Sequence, residues 1–311
     1  MQTKKDISFP IVSLYGTNYL NNGWTLECMK SWSNILDIPS EHTFILPQEK
    51  LNEVEDKCFS NLDFKVMDQE EVINDYLRNF PEIKSIREKD VTWRKIIDTT
   101  ILFPDAQIIT VIDTDVFIRN KVKLPFGNFD IIYMREDIPA YRANWKMVWK
   151  HKMVPALNAG MVLFDPKIID FNILEEIIGK YIKDCKNLWW SEQSAWSVIA
   201  GKTIKRGVFS GDQVRVTSAM KIRKPEEMFD NEYKYFGGNK MITEYLEFEP
   251  YLKGGSIFHF AGPGKYLFQQ SLPYLKSSEK GNVQIKAYQE NTMRFLDKVI
   301  VSSRLFLKEQ F

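Results

Sequence analysis

Cysteine is scarce in this chain: three occur among 311 residues, at positions 28, 58 and 185. Their odd number and wide spacing argue against a disulfide framework or a structural zinc site. Charge of one sign is also lacking, because 42 basic residues face 41 acidic ones, and the formal charge of +1 gives no general attraction to nucleic acid. No run reaches the roughly 20 apolar residues that a membrane span requires. We therefore predict a cytoplasmic protein without a nucleic-acid partner.

The apolar and aromatic content is high, at 44% and 14%, and supports a large buried core. Strand and helix patterns alternate through the first two thirds of the chain. This alternation predicts an α/β fold with a mostly parallel central sheet and helices on both faces. Beyond Val208 the pattern becomes irregular. We predict one domain over residues 1–270, with an irregular C-terminal portion, and a helical tail over residues 271–311.

Two aspartates, Asp113 and Asp115, follow the apolar run 108–112. If the strand continued through them, both side chains would leave the same face and could share one cation. At the carboxyl edge of an α/β sheet, such a pair suits Mg²⁺ or Mn²⁺ together with a diphosphate. The alternative is a strand end at which the aspartates are only solvated.

Three further segments would lie at the same edge of the sheet. Gly16 ends the first strand, and the neighbouring Tyr15 could stack on a base or be buried in a turn. Gly160 lies among small residues inside a bulky strand and marks a ligand contact or a bulge. His259 precedes a glycine loop and Lys265, and it is either a metal ligand beside a phosphate loop or a structural histidine.

The segments that carry chemistry follow one another along the chain as Arg94, Asp113-Thr114-Asp115, Asn158-Ala159-Gly160, Glu192-Gln193 and 259–265. In this order they resemble the A-type (GT-A) glycosyltransferases of family eight, a retaining group that includes bacterial lipooligosaccharide galactosyltransferases and glycogenin. The resemblance extends from residue 7 to residue 265. It implies a GT-A, Rossmann-like fold and a hexosyltransferase that moves a sugar from a nucleotide-diphosphate sugar, such as a UDP-hexose, to an acceptor hydroxyl with retention of configuration.

The resemblance also implies roles for individual residues. Asp113, Asp115 and His259 would bind Mn²⁺ or Mg²⁺. Glu192 and Gln193 would lie at the transferred sugar, with the Gln193 amide steadying the positive carbon. The residues implied in donor binding are Tyr15, Gly16, Thr17, Arg94, Thr114, Asn158, Ala159, Gly160, Gly262 and Lys265. The acceptor would be a glycan, a lipid-linked glycan or a protein, in bacterial glycan or surface polysaccharide synthesis.

The chain departs from the family pattern after Lys265, where Tyr266-Leu267 replace the usual Pro-Trp, and at Glu192, where aspartate is usual. Glu136 and Asp137 fall near a sugar-contacting acid of the relatives, or are solvated loop charges. Two other functions stay open. One is a sugar nucleotidyltransferase, although no Gly-rich basic loop follows the first strand, and the other is a non-catalytic nucleotide-sugar-binding protein.

The tail after Gln284 has the pattern of a moderately amphipathic, basic helix. Its apolar residues include Met293, Leu296, Ile300 and Leu307, and its basic residues are Arg294, Lys298, Arg304 and Lys308. Packing against the domain is one interpretation. Peripheral contact with the inner face of a membrane, where a lipid-linked acceptor would lie, is the other.

Overall fold

The structure is a computed structural model that describes residues 8–16, 19–136, 140–217, 245–277 and 281–310. The strands are β1 Ile11–Tyr15, β2 Thr43–Pro47, β3 Lys65–Val66, β4 Ile109–Ile112, β5 Val116–Ile118, β6 Lys121–Lys123, β7 Ile131–Arg135, β8 Leu157–Phe164, β9 Arg206–Phe209, β10 Val214–Val216, β11 Ile257–His259, β12 Asn282–Gln284 and β13 Ala287–Gln289. The α-helices are α1 Thr25–Ser31, α2 Glu53–Asn61, α3 Glu70–Tyr76, α4 Pro81–Lys89, α5 Ile97–Leu102, α6 Lys146–Lys150, α7 Phe171–Ile177, α8 Ser191–Lys202, α9 Tyr245–Leu252, α10 Phe268–Lys276 and α11 Phe295–Gln310.

The central sheet has eight strands among the described residues, in the order β13-β9-β7-β8-β4-β1-β2-β3. Six of these strands run in one direction, whereas β8 and β13 are antiparallel to their neighbours. The predicted α/β fold with a mostly parallel sheet is confirmed. Every residue of β8 is buried, as expected for a strand in the middle of a sheet that is covered on both faces.

Side chains along the strands alternate between two apolar cores. Val12 and Val111 lie in a core that also includes residues of α3, α4, α5, α7 and α8. Their neighbours Ile11 and Ile112 lie in a second core, with residues of α1 and α2. Helices therefore cover both faces, as the sequence predicted.

The strand of the aspartates does not continue through them. β4 ends at Ile112, and a turn over residues 113–115 is closed by a 3.0 Å hydrogen bond from the Val116 amide to the Asp113 carbonyl. β5 then leaves the central sheet and pairs with the antiparallel strand β11, with Val116 opposite His259. This pairing, rather than a continuous strand, brings the aspartates beside the histidine.

The chain after residue 270 returns to the body of the fold. β12 pairs with β6, and β13 closes the central sheet beside β9. The segment 271–311 therefore holds strands as well as helix, and the domain boundary at residue 270 stays a prediction. Within the described residues, no helix is both long enough and apolar enough to cross a lipid bilayer.

A buried ion network joins α3, α4 and α5. The Arg87 guanidinium donates to both oxygens of Asp98, at 2.6 and 2.8 Å, and to both oxygens of Glu70, at 2.8 and 3.0 Å. The side chains of Arg87 and Asp98 are only 4% and 3% exposed. Arg94, in the 3₁₀ turn Val91–Lys95, also pairs with Glu70, at 3.4 Å. The network thus ties this turn to three helices.

We expect Arg87→Ala to lower the free energy of unfolding by about 3–5 kcal/mol, because it leaves the Asp98 carboxylate buried without its partner. The matched control is Arg78→Ala, which removes an exposed pair with Asp75 at 3.0 Å and should change stability by less than about 1 kcal/mol. Urea unfolding followed by tryptophan fluorescence measures both. Equal losses in the two variants would contradict the structural role of the network.

Candidate functional site

Three side chains converge at the carboxyl edge of the sheet, Asp113 and Asp115 from the turn after β4 and His259 from the end of β11. One potential ligand atom from each lies within 4.8 Å of the others. His259 Nε2 is 3.2 Å from Asp115 Oδ1 and 3.9 Å from Asp113 Oδ2. In the part of the chain that the structure describes, this is the one group of at least three acidic, histidine or cysteine side chains arranged to hold a metal ion.

Asn158 determines which nitrogen of His259 carries the proton. Asn158 Oδ1 accepts from the Gly160 amide at 2.9 Å, and Asn158 Nδ2 donates to Glu136 Oε2 at 3.0 Å, so both ends of the amide are assigned. Asn158 Oδ1 also lies 2.8 Å from His259 Nδ1. Since an amide oxygen only accepts, Nδ1 donates to it, and Nε2 is therefore the ring nitrogen that faces the aspartates.

These residues fit a divalent cation. Asp115 Oδ1 is buried and has no hydrogen-bond partner, although it lies 3.2 Å from His259 Nε2. Acceptors held this close repel one another unless a cation or a proton lies between them. Two carboxylates with an imidazole are a ligand set that Mn²⁺ accepts, and Mg²⁺ shares the preference for carboxylate oxygen.

Gly160 makes room for the histidine. The register of β7 and β8 shifts between Tyr133, which faces Val162, and Met134, which faces Asn158, so β8 bulges over residues 159–161. A Cβ atom at Gly160 would overlap the imidazole of His259. Gly160 therefore lies at a bulge, one of its two sequence interpretations, and the group that approaches it is the histidine ring.

Two lysines neutralise the aspartates. Lys95 Nζ lies 2.6 Å from Asp113 Oδ1, and Lys265 Nζ lies 2.8 Å from Asp115 Oδ2. Burial alone would lower the lysine pKa values, but the carboxylates hold both above the ordinary value. Burial would likewise raise the pKa of Asp115, yet His259 and Lys265 hold it well below its usual range. Asp115 therefore stays ionised and both ammonium groups stay charged.

The glycine loop positions Lys265. Gly262 has a φ of +50°, a left-handed conformation that favours glycine, and it begins the 3₁₀ turn Gly262–Leu267. Gly264 packs against Thr217, where a Cβ would overlap the Thr217 hydroxyl. Lys265 Nζ lies 5.5 Å from the centre of the Trp24 ring, which adds a cation–π contact. The loop thus holds the Lys265 ammonium against Asp115.

Glu192 and Gln193, predicted at the transferred sugar, are both buried near the start of α8. Glu192 Oε1 accepts from Trp196 Nε1 at 2.7 Å. Burial raises the Glu192 pKa to about 8, and Asp113 adds to this although Lys95 opposes it. At neutral pH the carboxyl is therefore mostly protonated.

Gln193 links two backbone segments. Its Oε1 accepts from the Ala159 amide at 3.0 Å, and its Nε2 donates to the Ala140 carbonyl at 2.9 Å. This holds the bulged part of β8, and the predicted contact of Gln193 with the sugar stays a prediction.

Tyr15 does not offer its ring to a ligand. It is fully buried, packs edge-on against Phe59, donates to Glu55 Oε1 at 2.7 Å and accepts from the Leu20 amide at 3.1 Å. The buried-turn interpretation is therefore the correct one for its side chain, and base stacking by this ring was wrong. Gly16 is in close contact with the ring of Tyr19, which leaves no room for a Cβ.

The remaining predicted donor residues are more scattered. Arg94 pairs with Glu70 rather than with the aspartates, and its Nε is buried without a hydrogen-bond partner. Thr114 is buried in the turn between the aspartates. Thr17 lies outside the described residues, as does Asp137.

Sequence reasoning missed Lys95. The resemblance to the family singled out Arg94, and nothing in the local sequence distinguishes the adjacent Lys95 as a second cation of the site. The structure has a 3₁₀ turn at Val91–Lys95, with three residues per turn, and this turns Lys95 toward Asp113. Trp24 under Lys265 and the Glu136 bond to Asn158 were also missed, since neither has a local sequence signal.

No protein-family model matches the chain, and no curated protein matches it. Among solved structures, it is similar to mouse xyloside xylosyltransferase 1, with 13% identity, 81% of this chain and 97% of the other covered, and a TM-score of 0.47. The galactosyltransferase LgtC in complex with donor and acceptor sugar analogues is 12% identical, with 87% of this chain and 98% of LgtC covered and a TM-score of 0.44. The bifunctional glycosyltransferase WbbM is 12% identical, with 83% of this chain and 46% of WbbM covered and a TM-score of 0.45. At these identities and TM-scores, function has to be inferred from the site itself.

We expect Gly160→Ala to weaken Mn²⁺ binding at least about tenfold, because the added methyl group displaces the His259 ring from the aspartates. Gly211→Ala is the matched control, since a Cβ there meets no atom within 4 Å. Electron paramagnetic resonance of free Mn²⁺ measures the affinity. If Gly160→Ala bound Mn²⁺ as tightly as wild type does, His259 would not be one of the metal ligands.

The Glu192 pKa predicts a pH dependence of stability. A carboxyl with a pKa of 4.5 in the unfolded chain and about 8 in the fold stabilises the fold below pH 4.5. That stabilisation, at most about 5 kcal/mol, is lost as the pH rises toward 8. We expect metal-free wild type to lose more thermal stability between about pH 5 and pH 8 than Glu192→Gln does. Melting curves recorded at the two pH values measure this loss. If wild type and Glu192→Gln lost the same thermal stability, Glu192 would not be the titrating group.

Proposed function

We propose that the protein is a metal-dependent glycosyltransferase of the GT-A type, which transfers a hexose from a UDP-hexose to an acceptor hydroxyl with retention of configuration. The observation that carries the proposal is the position of His259 Nε2, which the contact between Nδ1 and Asn158 turns toward Asp113 and Asp115. A histidine held this way beside one buried and one half-buried carboxylate is suited to a divalent cation. The carboxyl edge of an open α/β sheet is where such folds bind nucleotides.

A diphosphate is the substrate group that the surrounding charges suit best. Lys95 and Lys265 lie on the two aspartates, one on each. A cation bound by the carboxylates would compete for their charge, and the ammonium groups could then turn to phosphate oxygens. When bound, Mn²⁺ or Mg²⁺ would supply positive charge against the negative charge that develops on the departing diphosphate. Lys265 would hold the same diphosphate from the glycine loop.

Among the residues that the structure describes, we find no ionised carboxylate poised to attack the sugar. Glu192 is buried, and its pKa of about 8 keeps it mostly protonated at neutral pH, so it is a poor nucleophile. We therefore propose that an oxygen of the leaving phosphate takes the proton of the incoming hydroxyl on the same face of the sugar. Gln193 would position the Ala159 segment and steady the positive sugar carbon.

The acceptor we propose is a glycan, a lipid-linked glycan or a protein, used in bacterial glycan or surface polysaccharide synthesis. The support for this part is the sequence resemblance alone, since the described residues around the metal ligands suit a donor rather than an acceptor.

We expect wild type with Mn²⁺ to release nucleoside diphosphate slowly from one member of a panel of nucleotide sugars. Asp115→Asn should reduce that release by about 100-fold or more, because several kcal/mol of charge stabilisation are lost with the cation. Asp170→Asn is the matched control: Asp170 caps α7 far along the chain, and asparagine caps a helix equally well. Chromatography of the nucleotides measures the release.

Other outcomes would contradict the proposal in distinct ways. Pyrophosphate release from a nucleoside triphosphate would favour a nucleotidyltransferase. Metal-dependent binding of a nucleotide sugar without turnover on any acceptor would favour a binding protein. A product of inverted configuration, or a glycosyl adduct on Glu192, would refute the retaining mechanism.

A further inference from the structure

The C-terminal helix α11 turns an apolar face to solvent. At 100° per residue, positions 295, 296, 299, 300, 303, 306 and 307 fall on one side of the helix over about 140°. All are large and apolar except Ser303. Their exposed fractions are 75% for Phe295, 66% for Leu296, 36% for Val299, 43% for Ile300, 47% for Phe306 and 49% for Leu307.

The opposite side of α11 holds the helix on the domain. Val301 and Leu305 are buried there, and α11 packs against α6. Helices on protein surfaces normally bury their apolar stripe and expose the polar one. In α11 the exposed side is at least as apolar as the buried side, so packing on the domain does not account for this sequence.

Trp149 extends the apolar face onto α6. Its ring is 40% exposed and lies 5.8 Å from the ring of Phe295, centre to centre. The Lys298 ammonium lies 5.9 Å from the centre of the Trp149 ring. We call the exposed side chains of α11 together with Trp149 the α11 face. A tryptophan beside lysine at the margin of an apolar surface is typical of proteins that lie at a lipid–water boundary.

The two chain segments that form the α11 face are strongly basic. Residues 146–152 and 294–307 hold six basic residues, namely Lys146, Lys150, Lys152, Arg294, Lys298 and Arg304, and one acidic residue, Asp297. This local excess of five positive charges stands against +1 for the whole chain. Segments that combine an apolar strip with an excess of positive charge complement a surface that is anionic outside and apolar within.

We propose that the α11 face lies in the interface of a membrane that contains anionic lipid, with the helix parallel to the bilayer plane. Two copies of the chain are a poorer match, because a two-fold contact through this face would bring two strongly basic segments of each copy together. The proposal does not rest on the glycosyltransferase activity, which uses residues at the carboxyl edge of the sheet.

Flotation of the full-length protein with phosphatidylcholine vesicles, prepared with and without phosphatidylglycerol, tests the proposal. We expect binding to the phosphatidylglycerol vesicles that weakens with added salt. The variant Leu296→Ser/Ile300→Ser/Leu307→Ser should bind at least about tenfold less, since apolar area inserted in the interface drives such binding. Its matched control is Val54→Ser/Ile204→Ser, which removes two apolar side chains, 74% and 85% exposed, elsewhere on the surface.

Equal binding of the α11 variant and wild type, or no binding of wild type to anionic vesicles, would overturn the proposal. So would a wild-type dimer, seen by light scattering, that the same variant converts to a monomer. Thermal melting shows whether the variant is folded. Nucleotide-sugar turnover without vesicles should be unchanged in the variant, so a failure of this proposal is distinguishable from a failure of the proposed activity.

Discussion

The candidate site depends on one hydrogen bond, from His259 Nδ1 to the side-chain oxygen of Asn158. If the ring proton were on Nε2, it would point at the aspartates and occupy the place of a cation. The Glu136 bond to Asn158 and the Gly160 amide fix the direction of that oxygen, and the bulge in β8 brings it to the ring. A backbone irregularity in a buried strand thus determines the chemistry of a histidine on another sheet.

Acidic side chains of the site are paired with basic ones without a ligand, and this pairing explains how Asp115 remains ionised although it is buried. Each aspartate has its own ammonium group, whereas Glu192, which has no full partner, takes up a proton instead. Burying an unpaired charge costs far more than protonating a carboxyl. A cation and a diphosphate would enter as a pair of opposite charges. The aspartates would then pair with the cation and the lysines with the diphosphate, so that the ion pairs between aspartate and lysine are replaced at little net electrostatic cost.

The sequence predicted the sheet, the cover of helices and the meeting of Asp113, Asp115, His259 and Lys265. The reason is that strand ends and glycine loops follow rules of period and position that one chain displays. It did not predict Lys95, because the choice between adjacent cations depends on whether a short turn is 3₁₀ or α. The sequence also could not decide whether the Tyr15 side chain is buried or exposed. Whether an aromatic after a strand is buried depends on partners such as Glu55, forty residues away.

The orientation of the C-terminal helix α11 also could not be predicted from the sequence. Its sequence is apolar on more than one side, so periodicity alone cannot tell which side meets the domain. The structure decides this through β13, which closes the central sheet a few residues before α11, and through contact with α6. Because β13 anchors the start of the tail, α11 has little freedom to turn its other side inward. The position of β13 therefore explains why the other apolar side chains of α11 are exposed to solvent. An exposed apolar patch of this size is typical of a site that contacts another surface.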